Sequence, residues 1–327
     1  MSATNSPAPG MRDPNRESRV TMGERESRPV FTRPQPKISL KRREQITGLL
    51  SILPAFLLVG IVVWWPIARS FRYSFTDWNG AKANWIGLDN YRNIFERGDF
   101  WTPLKTNFVF FLSIPGILLI SLVVSVLLFE ETPGWRFFRS VYYIPTILST
   151  AIVGMLMRVM FSPRGAVNGL LKAAGFDGLS RNWLGTTSTA FVVLIFIFYW
   201  QTLGQGVLIF LSGLASISTD LIEAARLDGA NWWQRLTQIL IPLLMPTIGF
   251  FFIFNAVYCF VGLFALVYTV TNGGPGFSTT PIDLLIYRKA FESGDLGYAS
   301  ALSVMLFIIV LFISAVQLRF FDRRSTE

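Results

Sequence analysis

Glu223-Ala224-Ala225-Arg226-Leu227-Asp228-Gly229-Ala230, continued through Trp232-Trp233-Gln234-Arg235-Leu236 to Ile239-Leu240-Ile241-Pro242 and Pro246, decides how this chain is read. The stretch is polar and helix-forming, yet long charge-free segments lie on either side, between Arg181 and Asp220 and between Arg235 and Asp283. It reads as a short folded element held at a membrane surface. Asp220 is placed to accept from a free first-turn N–H, and Glu223 to reach back to the Asp220 N–H, a capping box for a helix starting near Leu221. Gly229 tolerates the positive φ at which that helix stops. A second helical stretch is expected from about Asn231, with Trp232, Leu236, Ile239 and Leu240 at helical spacing. Pro242 is expected to end it by removing an N–H and biasing Ile241 away from α. The product is a helix–turn–helix elbow over residues 216–242.

Composition places that elbow in a membrane protein. Of 327 residues, 52% are hydrophobic and only 15% charged, which is a polytopic membrane composition. The net charge of +9 does not point to nucleic acid, because Lys and Arg concentrate at the N-terminus and beside apolar runs, where they set topology. Cys259 is the only cysteine and there is no histidine. A disulfide framework, thiolate or His metal sites and His-based triads are thereby excluded.

Six spans are expected, each placed by a charge-free gap long enough for roughly 20 apolar residues. They cover about residues 47–68, 106–129, 141–161, 189–211, 247–270 and 298–318. Residues 1–46, rich in Pro, Ser and Arg and closing in Lys41-Arg42-Arg43, read as a disordered basic tail, with 47–327 the membrane domain. A signal peptide is the competing reading of the N-terminus, but the first apolar run is long enough to span and no convincing cleavage site follows it. Positive residues collect in the tail, in the Arg136/Arg139 loop, in the elbow and at Arg319, Arg323 and Arg324. Both termini and the elbow are therefore expected in the cytoplasm. Trp78, Trp85 and Trp101 read as interfacial anchors on the other side, Arg158 as a snorkelling residue, and Gly273-Gly274-Pro275-Gly276 as a tight turn. No G-x-x-x-x-G-K-[ST] occurs, so this chain does not itself hydrolyse ATP.

The pattern E-A-A, two residues, D-G-A, then a hydrophobic stretch closing in I-x-P, resembles the cytoplasmic loop of the membrane subunits of binding-protein-dependent ABC importers. Arg136-Phe137-Phe138-Arg139-Ser140-Val141-Tyr142-Tyr143-Ile144-Pro145, Thr271-Asn272-Gly273-Gly274-Pro275-Gly276 and Ala290-Phe291-Glu292-Ser293-Gly294-Asp295-Leu296-Gly297-Tyr298-Ala299-Ser300-Ala301 resemble the carbohydrate branch. The first permease subunit of a maltose- or glycerol-phosphate-type pair is the most similar. The resemblance implies an all-α type I ABC importer transmembrane domain whose permease region covers about residues 104–318. It implies a second permease subunit, two ATPase subunits that bind the ATP and Mg, and an extracytoplasmic solute-binding protein that delivers a sugar; no cofactor is implied for this chain. Glu223, Ala224, Ala225, Asp228, Gly229 and Ala230 would then form the coupling element that docks on the ATPase. An amphipathic helix lying among headgroups is the alternative, but such helices carry a basic polar face, whereas Asp220, Glu223 and Asp228 here oppose Arg226 and Arg235. The maltose-type subunit's extra N-terminal helices and large periplasmic insertion are absent, so its disaccharide specificity does not carry over.

The fourth span centres near Trp200 and the fifth near Tyr258, at depths where Trp and Tyr need a reason other than the interface. Gln201 and Gln205 share one helix face, as do Asn255, Tyr258 and Gly262 on the next. Amides in hydrocarbon need partners. Helix–helix hydrogen bonding is one account, and a polar cavity lined by amides and aromatic faces is the other. Since the family places its substrate between these helices, Gln201, Gln205, Asn255 and Tyr258 are expected to contact sugar, with Trp200 as a stacking wall and Gly262 leaving room. An ion-driven carrier is disfavoured because the middles of the spans lack Asp and Glu. A membrane enzyme would lack acid–base groups. A same-family importer of polyamine, phosphate or amino acid lacks mid-depth charges to pair with.

Overall fold

A computed structural model describes residues 40–130 and 133–325. Among these the chain is helical, without strands beyond an isolated Thr76–Trp85 bridge. The chain divides at Val59 into two units, residues 1–58 and 59–327. Residues 1–39 of the expected tail lie outside the described residues, while helix α1 occupies Leu40–Val59, so the last residues assigned to the tail are helical.

Past α1 the backbone widens into a π-helical turn, Gly60–Trp64, before α2, Trp65–Tyr73. Pro66 explains the turn. It has no N–H and its ring would strike the carbonyl four residues back, so the preceding turn opens to an i→i+5 pattern, with Trp65 N–H donating to Gly60 O. A short α3, Asp89–Glu96, follows, then the long α4, Trp101–Phe129. The third span is not straight: α5, Trp135–Ile147, and α6, Thr150–Met160, meet at 99°. Leu148 and Ser149 take extended ψ values of 142° and 128°, which ends one helix and starts the next. After α7, Ala166–Ala173, comes the continuous α8, Thr187–Ala215.

The elbow contains α9, Thr219–Leu227, and α10, Trp232–Gln234. Pro242 does not end its second helix as expected. A π-helical stretch, Arg235–Leu240, precedes α11, Ile241–Leu243, and Ile241 stays helical with its N–H donated to Leu236 O. Pro242 is thus accommodated as Pro66 is. The break falls instead at Leu244, ahead of Pro246, and α12, Met245–Val261, leaves at 70°. The fifth span stops at Val261 rather than near residue 270, because Gly262 and Leu263 separate it from α13, Phe264–Val270. A glycine-rich loop leads to α14, Ile282–Tyr287, and α15, Leu296–Ser325, closes the described chain. Among the described residues four helices are long and apolar enough to cross a membrane, or up to six spans if each bent pair counts as one.

Within the second unit, α4 packs on α8 and α12, α5 on α8, α6 on α13, and α12 on α15. Phe110, Ile114, Ile117, Val193, Leu194, Ile197 and Phe251 fill the centre. Small residues bring backbones together at the α4–α8 contact: a Cβ on Gly206 would strike the Ser121 side chain, and Ser125 Oγ donates to Val207 O at 3.3 Å.

The expected turn at Gly273–Gly276 is present, with positive φ at Asn272, Gly273 and Gly276. Arg288 holds it by donating to Asn272 O at 2.7 Å. Trp85 and Trp101 are exposed, as is Arg158, and Trp78 stacks on Tyr73 at 4.0 Å. Asn84 donates to Asp77 from its side chain and its backbone, which holds that carboxyl below its usual range.

Asn107, fully buried on α4, staples three elements. Its Nδ2 donates to Cys259 O at 2.7 Å near the end of α12, and its Oδ1 accepts the Ile282 N–H at 3.0 Å at the start of α14. Asn107→Ala would strand both backbone groups, at a cost of about 1–3 kcal/mol. The purified protein in detergent should show a lower melting temperature, and an unchanged one would contradict this role.

Candidate functional site: a surface elbow and a polar cavity

Ser218, not Asp220, caps the first elbow helix. Its Oγ accepts the Leu221 N–H at 3.4 Å, and Asp220 already lies inside the first turn. A residue with helical φ and ψ cannot serve as N-cap, so the expected Asp220–Glu223 capping box does not form. Asp220 contributes there as an acid near the positive end of the helix dipole. A capping box does form one helix later: Gln234 N–H donates to Asn231 Oδ1 at 2.9 Å, and Asn231 N–H to Gln234 Oε1 at 2.8 Å. The N-x-x-Q spacing carried that signal in the sequence.

Gly229 has the positive φ expected of it, 81°. Ala230 N–H donates to Ala225 O at 3.0 Å and Gly229 N–H to Arg226 O at 3.1 Å, the two bonds of a Schellman stop. Turn and cap therefore fix the angle between the two elbow helices from both sides. Ala225 is buried at 8% exposure, and Leu236 and Leu240 bury the second helix in the core. Glu223, Ala224, Asp228 and Gly229 are exposed and Ala230 is half-buried. Leu227, 89% exposed, and Trp233, 63% exposed, add bare apolar surface. Acidic and apolar groups are thus exposed together on the elbow, which suits a protein partner better than anionic lipid.

The second site is a cavity of about 140 Å³. Gln201 and Gln205 reach it from α8, Asn255 and Tyr258 from α12, and Thr146 and Thr150 from either side of the α5–α6 break, with Thr202 and Phe254 completing the wall. Four of the six residues singled out from sequence therefore meet around one space. Trp200 does not line it: one position around the helix from Gln201, it packs against the hydrophobic core. Gly262 does not line it either. A Cβ there would lie 2.5 Å from the Tyr258 ring, so the glycine makes room for that ring.

Thr146 and Thr150 escaped the sequence reading, although at i and i+4 they share one face even of a straight third span, and that spacing was the signal that could have found them. Thr146 Oγ1 donates to Gln201 O at 2.8 Å, and Asn255 Nδ2 to Phe251 O at 2.9 Å. Tyr258 lies near-parallel to Phe198 at 6.0 Å. Every lining residue is uncharged, so the wall offers hydroxyls, amides and ring faces but no counter-ion.

Comparison with known proteins agrees with this architecture. Residues 102–326 match the family described as binding-protein-dependent transport system inner membrane component. The multiple sugar-binding transport system permease protein MsmF of Streptococcus mutans is 32% identical over 271 residues, 82% of this chain and 92% of that one. The sn-glycerol-3-phosphate transport system permease protein UgpA of Escherichia coli is 30% identical over 305 residues, covering 91% and 98%. Among solved structures, a bacterial ABC transporter involved in the import of the acidic polysaccharide alginate superposes with a TM-score of 0.76 at 23% identity, over 86% of this chain and 96% of that one. The chain belongs to the family of binding-protein-dependent transport system inner membrane components and is an ABC transporter permease, a membrane transport subunit rather than an enzyme.

Proposed function

We propose that this permease carries a neutral sugar or sugar derivative, with the cavity between α5–α6, α8 and α12 forming its wall of the substrate path. The charge-free, hydroxyl- and amide-lined cavity is the observation that carries the reading. Sugars present hydroxyls that pair with amides and apolar C–H faces that rest on aromatic rings, and need no buried counter-charge. MsmF is named for multiple sugars, and the relative AmyD of Thermoanaerobacterium thermosulfurigenes, 31% identical over 282 residues, for starch degradation products. At about 140 Å³ the space is smaller than the ~300–1,000 Å³ of complete ligand pockets. A second permease subunit facing this wall supplies the remainder.

The elbow docks on an ATPase subunit, one of two that bind ATP and Mg, and a solute-binding protein delivers the sugar from the other side. One solved relative is a bacterial alginate ABC transporter in complex with an alginate pentasaccharide-bound periplasmic protein. Both termini and the elbow face the cytoplasm, in line with the Lys and Arg beside the spans. Cysteine at Gln234 should then resist a membrane-impermeant thiol reagent in intact cells, while cysteine at Asn84 reacts; labelling of the Gln234 site from outside would reverse the topology.

Gly229→Val places a β-branched residue at φ 81°, at a cost of about 1–3 kcal/mol. Insertion should be normal and co-purification of the ATPase subunits poor; full transport by this variant would remove the elbow from coupling. Ser218→Ala should weaken the first cap by about 1 kcal/mol, and Glu223→Ala should leave it intact.

Gln201→Leu and Asn255→Leu test the cavity. Uptake of the sugar should fall or change specificity while assembly with the ATPase is retained. Loss of assembly would make these residues helix–helix ties, and unchanged uptake in both would place the path elsewhere.

A further inference from the structure

Glu130 follows directly on α4, and its Oε1 accepts from Arg235 Nη2 at 2.9 Å. The two side chains are largely buried, 16% exposed for Arg235 and 20% for Glu130. Arg235 Nη1 donates at the same time to Ala230 O at 3.1 Å, and the Ala230 N–H is the one bonded to Ala225 O. A continuous chain of hydrogen bonds therefore runs from the Glu-Ala-Ala helix, through the turn, to the end of α4. A cavity of about 40 Å³ lies beside it, where Arg226 of α9 joins Arg235 and Glu130 among the lining residues. Within that lining Glu130 is the one acid facing two arginines from the two elbow helices.

We propose that Glu130 is a positioning residue for transport, and that its ion pair with Arg235 is the latch through which displacement of the elbow moves α4. The proposal rests on the reading of the elbow as the ATPase-docking element. Three physical points support it. A guanidinium that grips a carbonyl with one nitrogen and a carboxylate with another fixes orientation as well as distance, which a lysine cannot do. Water is mostly excluded from the pair, so solvent screens it less than an exposed pair. Lastly, α4 is the helix that packs on both α8 and α12, whose side chains line the polar cavity. The α4–α8 contact is made rigid by the close approach of Ser121 to Gly206 and the Ser125–Val207 bond. A push on Glu130 therefore reaches the cavity through packed backbone.

The test uses the complete assembly in vesicles, with Cys259→Ala removing the native thiol and a cysteine placed at Thr150 in the cavity wall. Its labelling by a methanethiosulfonate reagent is compared with and without Mg-ATP plus vanadate, which traps the ATPase subunits closed. Trapping should change the labelling rate in the parent, and Glu130→Gln or Arg235→Lys should shrink that change by about fivefold or more. ATPase co-purification and vanadate-trapped nucleotide should remain at parent levels. The double variant should be no worse than the more affected single one, the signature of residues acting through one contact. An undiminished labelling response in both single variants overturns the latch. Loss of the ATPase subunits from Glu130→Gln also overturns it, since the pair would then merely support the docking face. Gly229→Val in the same background separates the two ideas: if it keeps both the ATPase and the full response, the elbow reading itself fails, whatever the Glu130 variants do.

Discussion

Inside hydrocarbon a backbone N–H or C=O has no water to turn to, and each one left unpaired costs several kcal/mol. Unbroken helices meet this constraint without help, and α4 and α8 do so for 29 residues each. A span that breaks must find partners for the freed groups. The Asn107 amide serves the region where α12 ends and α14 begins, from both its nitrogen and its oxygen. At the α5–α6 break the Leu148 carbonyl accepts from Gln201 Nε2 of α8 at 3.5 Å, and Thr146, just before the break, is tied to the α8 backbone at Gln201. The polar residues needed to tolerate that break are thus among those that wall the cavity. Helix–helix bonding and cavity lining, two separate accounts of these residues on sequence grounds, describe one arrangement.

The prolines follow the same constraint by another route. Pro66 and Pro242 each sit second in a helical segment that a π-helical stretch precedes. Widening the preceding turn moves the offended carbonyl aside and shifts hydrogen bonding to i→i+5, so direction is kept and no group is abandoned. Pro246 has no such stretch ahead of it, and there the chain turns by 70°. Elbow and fifth span are therefore joined by one accommodated proline and one that bends the chain.

Charge spacing and hydrophobic run length made the number and order of the spans legible, because the length needed to cross a bilayer is fixed. The Schellman stop was legible because only glycine adopts φ near 81° at little cost. The bends were not. Leu148 and Ser149 have no residue type that demands extended backbone, and the two helices they join pack on different partners, α5 on α8 and α6 on α13. Trp200 and Gly262 were placed in a wall they do not line for a different reason, since depth in the membrane does not say which way a face turns: Trp200 packs on the core and Gly262 lies against the Tyr258 ring. The Asp220 cap failed for a local reason: Ser218, two residues earlier, starts the helix first. The latch was invisible in sequence, since Glu130 and Arg235 are far apart along the chain and meet only when the elbow folds back on α4.

An element that transmits force must be stiffer than what it moves. An N-cap or a single exposed contact contributes about 1 kcal/mol, and a helix held by one such interaction would fray before membrane helices slid past one another. The elbow instead combines a Schellman stop, a capping box, two leucines buried in the core and a two-pronged arginine. Their individual energies are small, but they constrain different degrees of freedom: the angle at Gly229, the start of the second helix, its depth, and its distance from α4. Bending the elbow requires several to give at once. Movement of the elbow together with α4 leaves these contacts in place, whereas movement against α4 must break the Glu130–Arg235 pair.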